Sequence, residues 1–115
     1  MKFQVIEFEK ENLNGRKYVK HEISNLPEFV LCSMRQEETP EIAINGEFTL
    51  GMAKMTMDEK GIYAELEPYS HKKEIFDEML IDGNKIVSAG YGNVNEKGEV
   101  ANYRLQYIFL TKEPA

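Results

Sequence analysis

Ser88 sits in the stretch IVSAGYG, residues 86–92, where an apolar, strand-like start runs into alanine and two glycines. Small neighbours leave open space beside its hydroxyl. A serine becomes a nucleophile only when a base within hydrogen-bond reach takes its proton, a further group orients that base, and donors stabilise the oxyanion. The backbone N–H groups around Ala89 and Gly90 are candidate donors. The base is the difficulty, because the sequence has two histidines, His21 and His71. His71 follows Ser70 at the start of an expected helix and faces solvent there, and His21 falls in a weak N-terminal helical stretch. On local pattern, Ser88 therefore reads first as a small residue in a close-packed strand and second as a catalytic serine.

Other chemistry-bearing residues carry less. Cys32 is the single cysteine, so no intrachain disulfide forms; it reads as a small buried hydrophobe, in keeping with a reducing, intracellular compartment. His71, Glu74 and Glu78 share one helical face at i, i+3, i+7, a spacing that metal ligands use, but two carboxylates and an imidazole on an exposed face read as a solvated surface. The expectation is no metal and no cofactor. The six tyrosines lack the basic interleaving of a base-stacking platform, and no GxxxxGK[ST] phosphate loop occurs. A net charge of −6 argues against nucleic acid and anionic membrane as partners, since phosphate neutralisation needs clustered Lys and Arg. No stretch approaches the length of a membrane span, and the alternating residues 1–10, carrying Glu7 and Glu9, do not resemble a secretory leader.

One domain is expected over residues 1–115. Alternation over 1–9 predicts a strand, with Phe3 and Val5 on one side and Ile6 on the other. Residues 11–16 form a turn around Asn14-Gly15, and Tyr18, Ile23 and Leu26 suggest a short weak helix over 18–26 that Pro27 ends. Strands follow at 29–34, 48–57 and 61–67, with a polar loop over 35–40 and an apolar run over 42–44. The tetrapeptides Asp58-Glu59-Lys60-Gly61 and Asn95-Glu96-Lys97-Gly98 share a turn chemistry in which the glycine supplies a positive φ. The strongest helix spans 70–82, capped by Ser70, with Ile75/Met79 and Phe76/Leu80 as apolar pairs and Gly83 at the left-handed C-terminal position. Strands over 86–94 and 99–111 close the pattern, the last alternating Tyr103, Leu105, Tyr107 and Phe109 with Arg104 and Gln106. The fold class is α+β: mainly antiparallel β, a small partly open barrel with one strong and one weak flanking helix.

The order of these features resembles the phage prohead proteases, the capsid-maturation serine proteases. Asn12-Leu13-Asn14-Gly15-Arg16-Lys17-Tyr18 is similar to their NxNGRxY start. KEIFDEMLIDGNKIVS, residues 73–88, resembles their helix, Asp-Gly and strand leading into the nucleophile. Residues 98–105 resemble the GxVxDxxL strand, and Glu113-Pro114-Ala115 the closing motif. The resemblance covers nearly the whole sequence and implies a herpesvirus-protease-like barrel with Ser88 at the nucleophile position. Two departures matter. Leu50 and Gly51 stand where the family's His-Pro falls within Gly46-Glu47-Phe48-Thr49-Leu50-Gly51, and the third triad position falls near Phe109. Loss of the base in such a triad costs orders of magnitude in rate.

Three functional expectations follow. The first is a catalytically degenerate prohead-protease-like domain acting as a scaffold or binding element in phage head assembly, with capsid or scaffold proteins as partners, self-association, and a place in the host cytoplasm or the prohead. The second is an active capsid-maturation endopeptidase with Ser88 as nucleophile and His21 or His71 as base. The third is a phage-borne binding module or inhibitor of a host protein, for which the acidic charge suits a basic partner surface.

Overall fold

The computed structural model describes residues 1–36 and 47–113; the predicted run 42–44, most of the loop 35–40, Gly46 and the closing Pro114-Ala115 lie outside them. The elements are β1 (Lys2–Glu7), β2 (Lys17–Tyr18), β3 (Ile23–Asn25), β4 (Phe29–Ser33), β5 (Thr49–Met57), β6 (Gly61–Pro68), α1 (Lys73–Ile81), β7 (Lys85–Val94) and β8 (Glu99–Thr111). Strands β1-β6-β5-β4-β8 run side by side, and β7 continues from β8. The sheet thereby curls into a nearly closed barrel, with the edges of β1 and β7 facing each other across the opening. The α+β, partly open barrel expected from the sequence is the architecture found.

The interior holds Ile6, Val30, Leu50, Met55, Ile62, Leu66, Leu105, Ile108 and Leu110, with Phe76 of α1 entering fully buried. Each such residue contributes on the order of 1.5–3 kcal/mol by leaving water. Phe76 is the anchor of the helix: its ring meets Phe3 edge-on at 6.4 Å between centroids, while Lys73 pairs with Asp77 on the wet side at 2.8 Å.

The helix is shorter than its apolar pairs suggest. Residues Ser70–Lys72 form a single 3₁₀ turn, and α1 has no side-chain hydrogen bond capping its start. Ser70 is therefore not the cap. Gly83 does take the left-handed conformation, φ +97°, closing the C-terminus as expected.

The weak helix over 18–26 is replaced by extended backbone. β2 and β3 lie parallel to β8, pairing Tyr18 with Val100 and Ile23 with Tyr103, and only Lys20–Glu22 make a 3₁₀ turn. Parallel edge pairing against a long strand satisfies more backbone than an isolated helical turn, and β-branched Val19 and Ile23 favour it.

β8 is the wall on which the rest depends. It pairs antiparallel with β7 along one edge and parallel with β2, β3 and β4 along the other. The expected single apolar face is broken by two register shifts, between the pairs Tyr91↔Arg104 and Asn93↔Ala101 and between Ala89↔Tyr107 and Gly90↔Leu105. Each inserts an unpaired residue, Asn102 (φ +53°) or a residue at Gln106, and inverts which parity faces inward. Val100, then Tyr103 and Leu105, then Ile108 and Leu110 consequently point into the barrel. Tyr107 and Phe109 point the other way and pack with Val87 and Ala89 in a second, smaller cluster. The same device occurs in β1, where a shift between Gln4 and Ile6 turns Ile6 into the core instead of leaving it opposite Phe3 and Val5.

The two similar turns differ at their glycines. Gly98 has the positive φ, +82°, with Asn95 Oδ1 accepting from the N–H groups of Lys97 and Glu99. Asp58 Oδ1 likewise accepts from Lys60 and Gly61, but Gly61 is not left-handed; it is glycine because a Cβ there would stand 2.0 Å from the Ile6 carbonyl oxygen.

Candidate functional site

The register Ile86↔Leu110 and Ser88↔Ile108 puts Ser88 on the inward face of β7, beside the opening between β7 and β1. A cleft of about 530 Å³ lies there, walled by Val5 and Ile6 of β1, Ser88 and Gly90 of β7, and Tyr18 and Tyr103. The Ser88 hydroxyl is 3.0 Å from the Tyr103 hydroxyl, and either is able to donate.

The open space anticipated beside Ser88 is occupied by this ring. A Cβ on Gly90 would come within 2.9 Å of Tyr103 Cζ and Oη and 2.3 Å of the Arg104 carbonyl oxygen, and one on Gly92 would be 3.4 Å from Tyr103 Cδ1. Tyr103 thus lies diagonally over the two glycines, an aromatic covering the backbone that glycine leaves bare. Tyr18 packs edge-on against it at 4.9 Å and 77°. The sequence signal for this contact lies in paired small residues on one arm of a hairpin and an aromatic on the other. The Asn102 bulge displaces the pairing and hides it.

Electrostatics make Tyr103 a poor base. Burial pushes its phenol well above the ordinary tyrosine range, the bond from Ser88 offsetting this in part and Tyr18 adding slightly to it. At neutral pH the phenol keeps its proton, so it shares a hydrogen bond with Ser88 but gives it no place to deposit a proton. Tyr18 is also raised by burial, with Arg16 pulling the other way.

Of the remaining candidates, Phe109 alone lines the Ser88 cleft. His21 is on the exposed 3₁₀ turn near Glu22, at 3.9 Å, and lines a separate shallow pocket with Phe8 and Met57. His71 precedes α1 and stacks on Tyr69, planes 4° apart, so it does not share a helical face with Glu74 and Glu78. Neither imidazole lines the Ser88 cleft. Leu50 is fully buried in the main core. Phe109 pairs with Val87 and packs in the second cluster, yet it also lines the Ser88 cleft, where an aromatic ring supplies no acid. Cys32 is fully buried, its thiol pushed up to about 12 by desolvation. Among the described residues no group of His, Cys, Asp and Glu is placed to hold a metal ion, and no helix is long and apolar enough to cross a membrane.

The site is thus a partly buried pair of hydroxyls, serine and phenol, at the seam of an incompletely closed barrel. It can accept and donate hydrogen bonds. Compared with family models, curated proteins and solved structures, the sequence and its fold match none.

Proposed function

We propose that the protein is a catalytically silent prohead-protease-like domain, a herpesvirus-protease-type barrel that serves as a binding or scaffold element in phage head assembly. One observation carries the silent half of this reading: the Ser88 hydroxyl is hydrogen-bonded to a buried phenol that stays protonated at neutral pH, while both imidazoles lie outside its cleft. An alcohol with that partner is not activated. The head-assembly half rests on the ordered resemblance of residues 12–18, 73–88 and 98–105 to the proteases that mature phage capsids.

A serine-reactive phosphonate and a capsid or scaffold precursor test the reading together. The expected result is no label on Ser88, no cleavage, and retention of head proteins by the immobilised domain. Cleavage that Ser88→Ala abolishes would establish the active endopeptidase instead. Retention of a host protein with no affinity for head proteins would favour the host-directed binder.

A further inference from the structure

Asn14 and Gly15 sit at the tip of the tight loop that leads into β2. In an Asn-Gly pair no Cβ obstructs the approach of the glycine nitrogen to the amide carbonyl of the preceding residue. We propose that the Asn14–Gly15 link is a site of spontaneous deamidation held in check by Asn12. The step would proceed by loss of the Gly15 N–H proton to solvent base and attack of that nitrogen on Asn14 Cγ. The new N–C bond closes a succinimide as the bond from Cγ to Nδ2 breaks and ammonia leaves. Water then opens either carbonyl, leaving aspartate or its β-linked isomer; one water is consumed, one ammonia is released, and nothing is oxidised.

Exposure favours the reaction and hydrogen bonding opposes it. Asn14 is exposed, yet the attacking nitrogen is engaged: Gly15 N–H donates to the Asn12 carbonyl at 3.0 Å. Asn12 also fixes the loop around it, its Oδ1 accepting from the N–H groups of Asn14 at 2.9 Å and Arg16 at 3.0 Å, and its own N–H donating to the Arg16 carbonyl at 2.8 Å. Beyond the tip, Lys17 N–H donates to the Gly98 carbonyl, and Gly15 packs so closely on Gly98 that a Cβ on Gly98 would meet the Gly15 carbonyl oxygen at 1.9 Å. Succinimide closure needs this loop to open locally, so its rate follows the open fraction. The product adds a negative charge at the rim of the cleft, which Asn12, Asn14 and Arg16 line. The β-linked form also lengthens the backbone by one methylene in a loop whose spacing joins β2 to the turn after β7.

Mass spectrometry of the peptide containing Asn14, sampled during warm incubation at neutral pH, tests this. Folded protein is expected to convert slowly and urea-unfolded protein fast. Asn12→Ala, which removes two accepted bonds, is expected to raise the folded rate by about 5–30-fold, and Asn12→Asp, which keeps the acceptor, to stay near wild type. Equal rates for folded wild type and unfolded protein, or for folded Asn12→Ala and wild type, would overturn the proposal. If Asn12→Ala unfolds, as circular dichroism would reveal, the wild-type, urea and Asn12→Asp rates decide alone: slow only in the first and third supports it, and any other pattern refutes it.

Discussion

Ser88→Ala, Tyr103→Phe and the double variant test what the Ser88 hydroxyl is for. The two hydroxyls meet at 3.0 Å, and Tyr103 is only 4% exposed whereas Ser88 is half-buried. Removing the serine hydroxyl strands a buried phenol, at a cost of about 1–3 kcal/mol; removing the phenol leaves a serine that can turn toward water in the cleft, at about 0.5–1.5 kcal/mol. Because the double variant has no stranded partner, its loss should be smaller than the sum of the singles, with a coupling of roughly 0.5–1.5 kcal/mol. Urea unfolding with unchanged m values reads all three, and a 1 kcal/mol loss corresponds to roughly 3–6 °C in Tm for a protein of this size. A working nucleophile behaves the other way, since groups kept for catalysis are commonly held at the expense of stability and their removal is neutral or stabilising. A more stable Ser88→Ala variant, or a coupling below about 0.3 kcal/mol, would refute the argument that Ser88 is a structural partner of Tyr103.

Gly90→Ala should destabilise by about 1–3 kcal/mol through the clash with the Arg104 carbonyl and Tyr103; an open strand site would instead gain about 0.4–1 kcal/mol, so the sign of the urea midpoint shift is the test. Phe76→Ala should cost about 3–5 kcal/mol and release α1, read by far-ultraviolet circular dichroism. Cys32 has a folded pKa of about 12 against an ordinary value of 9.0. Its contribution to stability is therefore complete below pH 9 and is lost as pH rises toward 12, at a limiting slope of about 1.4 kcal/mol per pH unit. Cys32→Ala should flatten that part of the alkaline unfolding curve, and in the folded wild type the thiol should resist iodoacetamide at neutral pH until urea exposes it.

Much of the fold is legible in the sequence because hairpin chemistry is local. Asn95 to Gly98, flanked by alternating strands, fixes the β7–β8 turn, and Phe76 with Leu80 fixes the inward stripe of α1. The stretch 18–26 misleads because its three apolar residues fit either period, and what decides between them is an edge of β8 some eighty residues away. Bulges are the other blind spot: alternation places Tyr103, Leu105, Tyr107 and Phe109 together, and the extra residue that parts them, Gln106, carries no distinctive side group. At the candidate site, Ser88 and the need for space around it are visible in IVSAGYG. That a phenol fills the space is not, because simple alternation from the turn sets Tyr103 opposite Tyr91, and the bulge at Asn102 brings it round to the face of the two glycines.

The placement of β8 constrains how the polypeptide acquires its structure. Three earlier strands, β2, β3 and β4, take their parallel partner from the strand that follows all the others described. A ribosome delivers that strand well after them, so the N-terminal portion waits with unsatisfied edges until residues 99–111 emerge. Contacts so distant in sequence make folding slow and expose half-formed sheet to its neighbours, and truncation within residues 99–111 should leave an aggregating fragment, not a smaller domain.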